Sequence, residues 1–424
     1  MPGPSLRGQN AGGTAAPATA PSRRSPDPVA AVVFSGLNLL RCFAGLGIPT
    51  VVASSDPRDV TFHSRYCRHR AVIAPVSDPE RMLHDLLTLG RTFPDRPVLV
   101  YGDDATLLFV SRNRERLARS YRFLLPDPDL VEDLVDKTRF ARLAARLGLP
   151  VPKTVLSREA ATADEVGDRL SLPCVLKPNY HIGWFESCAV LEHGGHPRKA
   201  LLAGTADELH RMYGQIRRFT DDFVVQEYVP GDVDAVYTFH AYADRHSNVL
   251  AHYVGRKIRT YPREAGMSTY LELVREPEVV RAGLDILARL RFVGVVKVDF
   301  KRDAGRGRFV LLEINPRFNL WHYLGAACGV NLPRLAYADL VGAPHPPRRE
   351  YATGIRWLSF GNDVRTFLRD YHRGGLLSWP TWLLSLRGRK VHDIFAWHDP
   401  VPAIAGLLRY AKAFSAKASR RFIR

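Results

Sequence analysis

Apolar and polar positions along this chain fall into blocks that alternate between strand-like and helix-like spacing. An apolar run at Val29–Ser35 is followed by helical periodicity over Leu37–Leu46, then by apolar runs at Thr50–Ser55, Arg70–Pro75 and Pro97–Tyr101. Helical spacing also fills Asp78–Phe93 and Ala105–Tyr121. Strands alternating with helices predict an α/β fold with a parallel, doubly wound sheet. The first strand-to-helix turn reads Ser35-Gly36-Leu37-Asn38 and lacks the Gly-x-Gly-x-x-Gly spacing, so no dinucleotide site is expected there.

A long helical pattern over Val131–Leu147 closes at Gly148 and Pro150 and marks the first domain boundary. Beyond it the pattern predicts strands at Pro152–Leu156, Cys174–Lys177, Phe223–Val229, Ala235–Ala243 and Val249–Arg259. Helices are expected near Asp164–Leu170, at Ala206–Phe219 and at Pro277–Arg291, with a loop over 260–275 punctuated by Pro262 and Gly266. Two apolar helices, Leu320–Cys328 and Leu332–Val341, end this region. From about residue 350 the composition shifts toward Trp, Arg and Leu. Ile404, Leu407, Leu408, Ala411, Phe414, Ala418 and Phe422 recur there at helical spacing.

The chain of 424 residues is long enough for two or three domains. Its net charge of +17 favours anionic company, whether nucleotide phosphates, an anionic membrane, nucleic acid or an acidic substrate. No nucleic-acid motif accompanies the scattered basic residues, so no specific nucleic-acid partner is expected. Five cysteines without a Cys-x-x-Cys pair argue against a disulfide framework or structural zinc and fit a reducing, cytoplasmic setting. Residues 1–28 are rich in Pro, Ala, Gly, Ser and Arg and read as a disordered leader.

The chemistry concentrates in a predicted hairpin, Val-Lys-Val-Asp299-Phe followed by Leu-Leu-Glu313-Ile-Asn315-Pro-Arg317. Positions 313, 315 and 317 share one face of an extended chain, with Leu312 and Ile314 pointing into a core. Oxygen ligands such as Asp299, Glu313 and Asn315 suit Mg²⁺ (or Mn²⁺), and a neighbouring Arg317 suits a phosphate oxygen. Upstream, Lys137 sits in Val-Asp-Lys-Thr-Arg-Phe and Lys177 in Leu-Pro-Cys-Val-Leu-Lys-Pro. Arg256, Lys257 and Arg259 cluster at a strand end ahead of the Pro262–Gly266 loop. Alternation places Lys257 and Arg259 on one face and Arg256 on the other. His322 reads as a packing or helix-start residue, and Gly102-Asp103-Asp104 as an N-cap or an acceptor-substrate contact.

Glu-Ile-Asn-Pro-Arg, with Asp299 before it, resembles the metal-binding strand of the ATP-grasp superfamily. Within that superfamily, Ser111-Arg-Asn-Arg-Glu, Asp136-Lys137, Lys199-Ala200 and the metal strand resemble carboxylate–amine ligases of the D-aspartate ligase type. The resemblance implies an ATP-grasp fold over 129–345, with a lid roughly over 151–230. A Rossmann-like pre-ATP-grasp domain over 29–128 would precede it, and a helical, basic C-terminal extension over 346–424 would follow. It implies that Lys137 and Lys177 contact the nucleotide phosphates. Val224–Gly231 resembles the hinge strand. There Gln226 or Glu227 would face the adenine amine, the Val229 backbone the ring nitrogen, and Asp232 or Asp234 the ribose. Arg317, Lys257 and Arg256 are the expected catalytic residues, with the 262–266 loop as a lid.

The implied reaction joins a carboxylate to an amine through an acyl phosphate, with release of ADP and phosphate. The alternative is a non-catalytic ATP-binding or membrane-peripheral module. One departure stands out. After Lys177 the chain reads Asn179-Tyr-His-Ile-Gly183-Trp-Phe-Glu-Ser187, with a single glycine where a Gly/Ser-rich phosphate loop is usual. The basic, apolar stripe at 404–424 suggests either peripheral contact with an anionic membrane or docking on the catalytic domain. The sequence leaves the substrates' identities and the oligomeric state open.

Overall fold

The computed structural model describes residues 28–34, 36–179, 192–193, 196–197, 200–263, 266–347, 350–409 and 411. The first sheet is built from β1 (Ala31–Phe34), β2 (Thr50–Ser54), β3 (His69–Val72) and β4 (Val98–Val100). All its pairs are parallel and its order is β3-β2-β1-β4, the doubly wound arrangement expected from alternating strands and helices. β1, β2 and β4 are wholly buried, as a sheet covered on both faces requires.

The second sheet is antiparallel and runs β5-β10-β6-β9, from β5 (Thr154–Leu156), β6 (Cys174–Pro178), β9 (Leu201–Ala203) and β10 (Phe223–Glu227). A two-residue ladder of β7 (Glu192–His193) and β8 (His196–Pro197) lies between β6 and β9 in sequence. The third sheet has seven strands in the order β15-β14-β11-β12-β13-β16-β17. Its strands are β11 (Val236–Ala243), β12 (Val249–Tyr261), β13 (Met267–Val274), β14 (Gly294–Asp303), β15 (Arg308–Asn315), β16 (Arg356–Leu358) and β17 (Lys390–His392). One face of this sheet carries Phe239, Val254, Val296, Val298, Phe300 and Ile314 into a core shared with the helix Pro277–Leu290.

Three departures from the periodicity matter for the site. The long helix expected over Val131–Leu147 is two helices, Pro128–Val135 and Lys137–Leu147. Asp136 separates them with extended backbone, and its Oδ1 accepts a hydrogen bond from the Arg139 backbone N–H at 2.8 Å. Lys137 therefore opens a helix instead of lying inside one. Secondly, much of the expected 260–275 loop is the strand β13, whose partly alternating Met-Ser-Thr-Tyr-Leu-Glu-Leu-Val pattern was hidden behind Pro262 and Gly266; Glu264 and Ala265, at the loop's tip, lie outside the described residues. Thirdly, the region beyond 345, expected to be helical, contributes β16 and β17 to the same sheet as Asp299 and Glu313. The expected Ala105–Tyr121 helix is likewise broken at Asn113.

The four described cysteines are unpaired, and Cys188 lies outside the described residues. Burial pushes the Cys42 thiol far above its ordinary range, as expected of an inert core residue.

The C-terminal strands are locked in place by a buried ion pair. Both Asp363 oxygens accept from Arg259, Nε–Oδ1 and Nη2–Oδ2 each at 2.8 Å, and neither side chain is more than 3% exposed. Thr269 Oγ1 and Trp382 Nε1 also donate to Asp363, and Arg259 stacks over the Tyr270 ring at 4.5 Å. Removing one partner of such a pair strands the other charge. Asp363→Ala is expected to lose about 3–5 kcal/mol of stability in urea unfolding, and a loss below about 1 kcal/mol would contradict this reading.

Candidate functional site

β14 and β15 form an antiparallel pair in which Asp299 stands directly opposite Glu313. Val298 and Phe300 enter the core, so Lys297, Asp299 and Lys301 share the other face. Asn315 lies on that face too, its Nδ2 donating to Glu313 Oε1 at 3.1 Å. Ile314 is buried as the alternation predicts, but Leu312 is only half-buried. The register slips between Asp299 and Phe300, which pairs with Leu311, so Leu312 is the extra residue of a bulge and Leu311 enters the core.

Asp299 is 3% exposed and well supplied with donors. Thr238 Oγ1 donates to its Oδ1 at 2.8 Å and Lys297 Nζ to its Oδ2 at 2.7 Å. Lys257 Nζ lies 3.9 Å from the same Oδ2. Lys297 Nζ is also 3.8 Å from Glu313 Oε1, so an ammonium group stands between the two carboxylates. Sequence reading passed over Lys297 and Lys301, although spacing of two from Asp299 was the available signal.

Lys137 and Lys177 approach the same place from two other elements. Asn179, 5% exposed, joins them. Its Oδ1 accepts from the Lys137 backbone N–H at 2.6 Å, and its Nδ2 donates to Asp136 Oδ2 at 2.8 Å and Asp222 Oδ2 at 2.7 Å. Thr138 Oγ1 completes the link by donating to Asp222 Oδ1 at 2.9 Å. The strand end carrying Lys177 is thereby held at the N-terminus of the helix that Lys137 opens. Burial pushes the Lys177 ammonium down to about 8, with Glu313 opposing the shift and Lys137 and Lys301 adding to it. No feature of local spacing pointed to Asn179. The rest of the expected phosphate-covering segment, 180–187, lies outside the described residues.

Gln226 pairs across the ladder with Val175 and so shares the face of Lys177. Lys177 Nζ donates to its Oε1 at 2.6 Å, and its Nε2 donates to Thr154 Oγ1 at 3.0 Å. Glu227, on the opposite face, is held by Arg306 at 2.5 Å, which keeps its carboxyl below the ordinary range. Val229 is buried just beyond the strand end. Asp234 lies on a 3₁₀ turn, Val233–Ala235. With Asp232, Arg256, Lys257, Ile258 and Tyr371 it lines a cavity of about 260 Å³.

The basic cluster on β12 divides differently from the alternation. Lys257 joins Asp299, while Arg256 pairs with Glu272 at 2.6 Å on the opposite face. Arg259 sits on the side of Arg256, not that of Lys257, because the register slips between Lys257 and Arg259 and Ile258 becomes the extra residue. Arg259 is therefore committed to Asp363 and is absent from the site.

Arg317 reaches the other way, to the first sheet. Its Nε lies 2.5 Å from Asp104 Oδ1, and it also donates to Gly102 O at 3.2 Å and to Asn315 Oδ1 at 3.3 Å. Asp103, next to Asp104, caps the following helix by accepting from Thr106 N–H at 2.8 Å. His322 is fully buried at the start of the helix His322–Ala327, with its Nδ1 2.9 Å from the Tyr253 hydroxyl. Burial pushes its imidazolium down to about 3, consistent with a packing role.

A family model described as an ATP-grasp in the biosynthetic pathway with the Ter operon matches residues 244–359, which include Asp299, Glu313, Asn315, Arg317 and Lys257. The N5-carboxyaminoimidazole synthetase of Staphylococcus aureus superposes with a TM-score of 0.60 at 14% identity, covering 82% of this chain and 86% of that one. The chain has the ATP-grasp fold.

An L-amino acid ligase from Bacillus licheniformis shares the ATP-grasp fold with a TM-score of 0.56 at 14% identity, over 75% of each chain. In sequence, the D-aspartate ligase of Enterococcus faecium is 24% identical over 251 residues, 58% of this chain and 58% of that protein. The carbamoyl phosphate synthase large chain of Rubrobacter xylanophilus is 29% identical over 274 residues, 62% of this chain and 24% of that protein. The match thus spans less than two thirds of either curated relative. An ADP complex is among the solved ATP-grasp neighbours.

Among the described residues no three His, Cys, Asp or Glu side chains cluster as a metal centre. A divalent ion here would be held by two carboxylates and an amide oxygen, a hard donor set that fits Mg²⁺ or Mn²⁺. It would meet the Lys297 ammonium between the carboxylates. Lys297→Ala is expected to bind Mn²⁺ about tenfold more tightly by electron paramagnetic resonance titration, equivalent to about 1.4 kcal/mol. Unchanged or weaker binding would show that the ammonium does not compete for that position.

Proposed function

We propose that this chain is an ATP-dependent carboxylate–amine ligase. It joins a small-molecule carboxylate to an amine as an amide, through an acyl phosphate, and releases ADP and phosphate. The observation that carries the reading is the pairing of Asp299 with Glu313 across β14 and β15, with Asn315 beside them and five lysines close by. Such a concentration of cations next to an oxygen-rich corner suits a polyphosphate.

The residues divide the work by charge. Attack of a carboxylate on a γ-phosphate brings two anions together, and catalysis depends on positioning and neutralisation. Lys137, Lys177 and Lys301 would neutralise phosphate oxygens, and Lys257 would face the transferred group. Asp299, Glu313 and Asn315 would hold Mg²⁺, which supplies charge neutralisation between the phosphates when bound. Gln226 would orient Lys177 and the adenine edge, while Val229 and Asp234 would take the ring nitrogen and ribose. The second sheet, 151–230, would act as a lid over the seven-stranded sheet. Arg317 would exchange Asp104 for substrate, so the first sheet would help form the acceptor side. Arg256 contributes through Glu272 and the cavity it lines with Lys257, a positioning part.

The same charges predict a proton signature. A bound polyphosphate favours the charged form of Lys177, raising its pKa from about 8 toward the ordinary lysine range. ADP binding near pH 8.5 is therefore expected to take up protons, whereas near pH 6 Lys177 is already charged and adds no uptake. Calorimetry in buffers of different ionisation enthalpy measures this, and Lys177→Arg should abolish the pH 8.5 uptake. Equal proton exchange in both proteins would refute the assignment of Lys177.

Activity supplies the direct test. ADP release screened over amino acids, amines and carboxylates should require both an acid and an amine for full turnover. Glu313→Ala should lower that turnover by at least about a hundredfold, the scale of removing a positioned charge stabiliser, with the circular dichroism unchanged. Retained activity would sink the metal-site assignment. Nucleotide binding without ADP release for any pair would favour a non-catalytic module.

A further inference from the structure

Among the described residues, sixteen large apolar side chains are exposed, and twelve of them fall between Phe360 and Leu408. Single exposed hydrophobics are ordinary on any surface, but this concentration in one stretch is not. Trp397 is 89% exposed, Leu407 71% and Leu408 59%. Leu383 and Leu384 stand out from the short helix Trp379–Ser385. Phe360, Leu386 and Trp397 meet at one groove of about 400 Å³, so these segments border one another.

The segment after Trp397 is anchored to the protein. Asp399, two residues after Trp397, is 1% exposed and anchors the segment on the first sheet's side of the molecule. Its Oδ2 accepts from Arg41 Nε at 3.1 Å and Ser64 Oγ at 2.8 Å, and its Oδ1 accepts from the Arg65 backbone N–H at 2.9 Å. The helical stretch 401–409 then lies with buried Pro402 inward, and Arg409 pairs with Asp56 at 3.0 Å. Docking on the protein thus occupies one side of this helix and leaves Ile404, Leu407 and Leu408 on the outside. Phe414, Ala418 and Phe422 of the sequence stripe lie outside the described residues.

Charge decides what covers this face. Residues 360–409 contain seven Lys and Arg against four Asp and Glu. Of the acids, Asp363 and Asp399 are buried, and Asp370 accepts from the Arg263 backbone N–H at 2.9 Å. Arg373, Arg387 and Arg389 are exposed between the apolar side chains. Exposed Trp and Leu with Arg between them match the acyl boundary and anionic headgroups of a lipid surface. No helix among the described residues is long and apolar enough to cross a membrane, which leaves contact from one side.

We propose that residues 360–409 form a face that seats the folded protein on an anionic lipid bilayer, with Trp397, Leu383, Leu384, Leu407 and Leu408 entering the interface and Arg373, Arg387 and Arg389 meeting lipid phosphates. The full chain is tested by co-flotation with phosphatidylcholine vesicles made with and without phosphatidylglycerol. It should float with the anionic vesicles, leave them as sodium chloride rises, and stay behind with neutral ones. A Trp397→Ser, Leu407→Gln, Leu408→Gln triple variant should partition at least about tenfold less, because three buried apolar groups are lost. Arg387→Glu with Arg389→Glu, on an exposed turn, should do the same and guards against misfolding of the triple variant. Flotation that ignores lipid charge and both variants overturns the proposal. So does a wild-type dimer in solution that the triple variant converts to monomer, since a second copy would then cover the face.

Discussion

Two carboxylates placed directly across a pair of strands repel each other, and like charges in that position ordinarily weaken a sheet. The site of this protein is organised around offsetting that repulsion. Asp299 and Glu313 are forced opposite by the register of β14 and β15, and the backbone ladder cannot move either away without moving the core residues Val298 and Ile314. The offset comes from cations delivered by separate elements: Lys297 from the same strand, Lys257 from β12 two strands away, and Lys177 from the second sheet. Once assembled, the corner has fixed negative oxygens and a surrounding excess of ammonium groups. On the proposed reading, that is the charge pattern a metal–polyphosphate complex would complement, with Asp299 already held by Thr238 and Lys297.

Much of this was legible in the chain because alternation is a local rule. Glu313 and Asn315 fall on one face in the structure as their spacing of two predicted, and the parallel order of the first sheet follows from its strand–helix rhythm. The rule failed where one residue was inserted. The bulge at Leu312 exchanged which leucine enters the core, and the bulge at Ile258 turned Arg259 to the opposite face and into an ion pair with Asp363. A bulge leaves almost no mark on composition, so a single slip reverses every later assignment on the strand. The helix break at Asp136 was more readable in principle, since an Asp followed by a second helical register is a capping signal. The apolar periodicity on both sides masked it.

Contacts between distant segments were not legible at all. Asn179 joins Lys137 and Lys177 across 42 residues of sequence, and Arg317 reaches Asp104 across 213. Neither pair has a local signature, because each depends on how three sheets come together. Both have consequences for the site. Asn179 ties the strand bearing Lys177 to the helix start bearing Lys137, so these two cations are positioned as a unit. Arg317 is held by Asp104, at the start of the helix that follows β4, and a substrate that drew it away would have to compete with a 2.5 Å ion pair. The first sheet is thereby a participant in the site's charge balance as well as a support for it.

The segment beyond residue 345 belongs to the same balance. Its strands extend the sheet that carries Asp299, and Asp363 supplies the buried counter-charge that fixes Arg259 on β12, two residues from Lys257. At its far end Asp399 fixes Arg41, on the first sheet's side of the molecule. One stretch of chain therefore satisfies buried cations on two different bodies of the protein. With Asp363 and Asp399 spent internally, Arg373, Arg387 and Arg389 remain on its outer surface. A segment that clamped the sheets through apolar contacts alone would have buried its Trp and Leu residues. Here Asp363 and Asp399 share the clamp with buried Trp357, Leu358, Phe367 and Trp382, while Trp379, Leu383, Leu384 and Trp397 are left facing out.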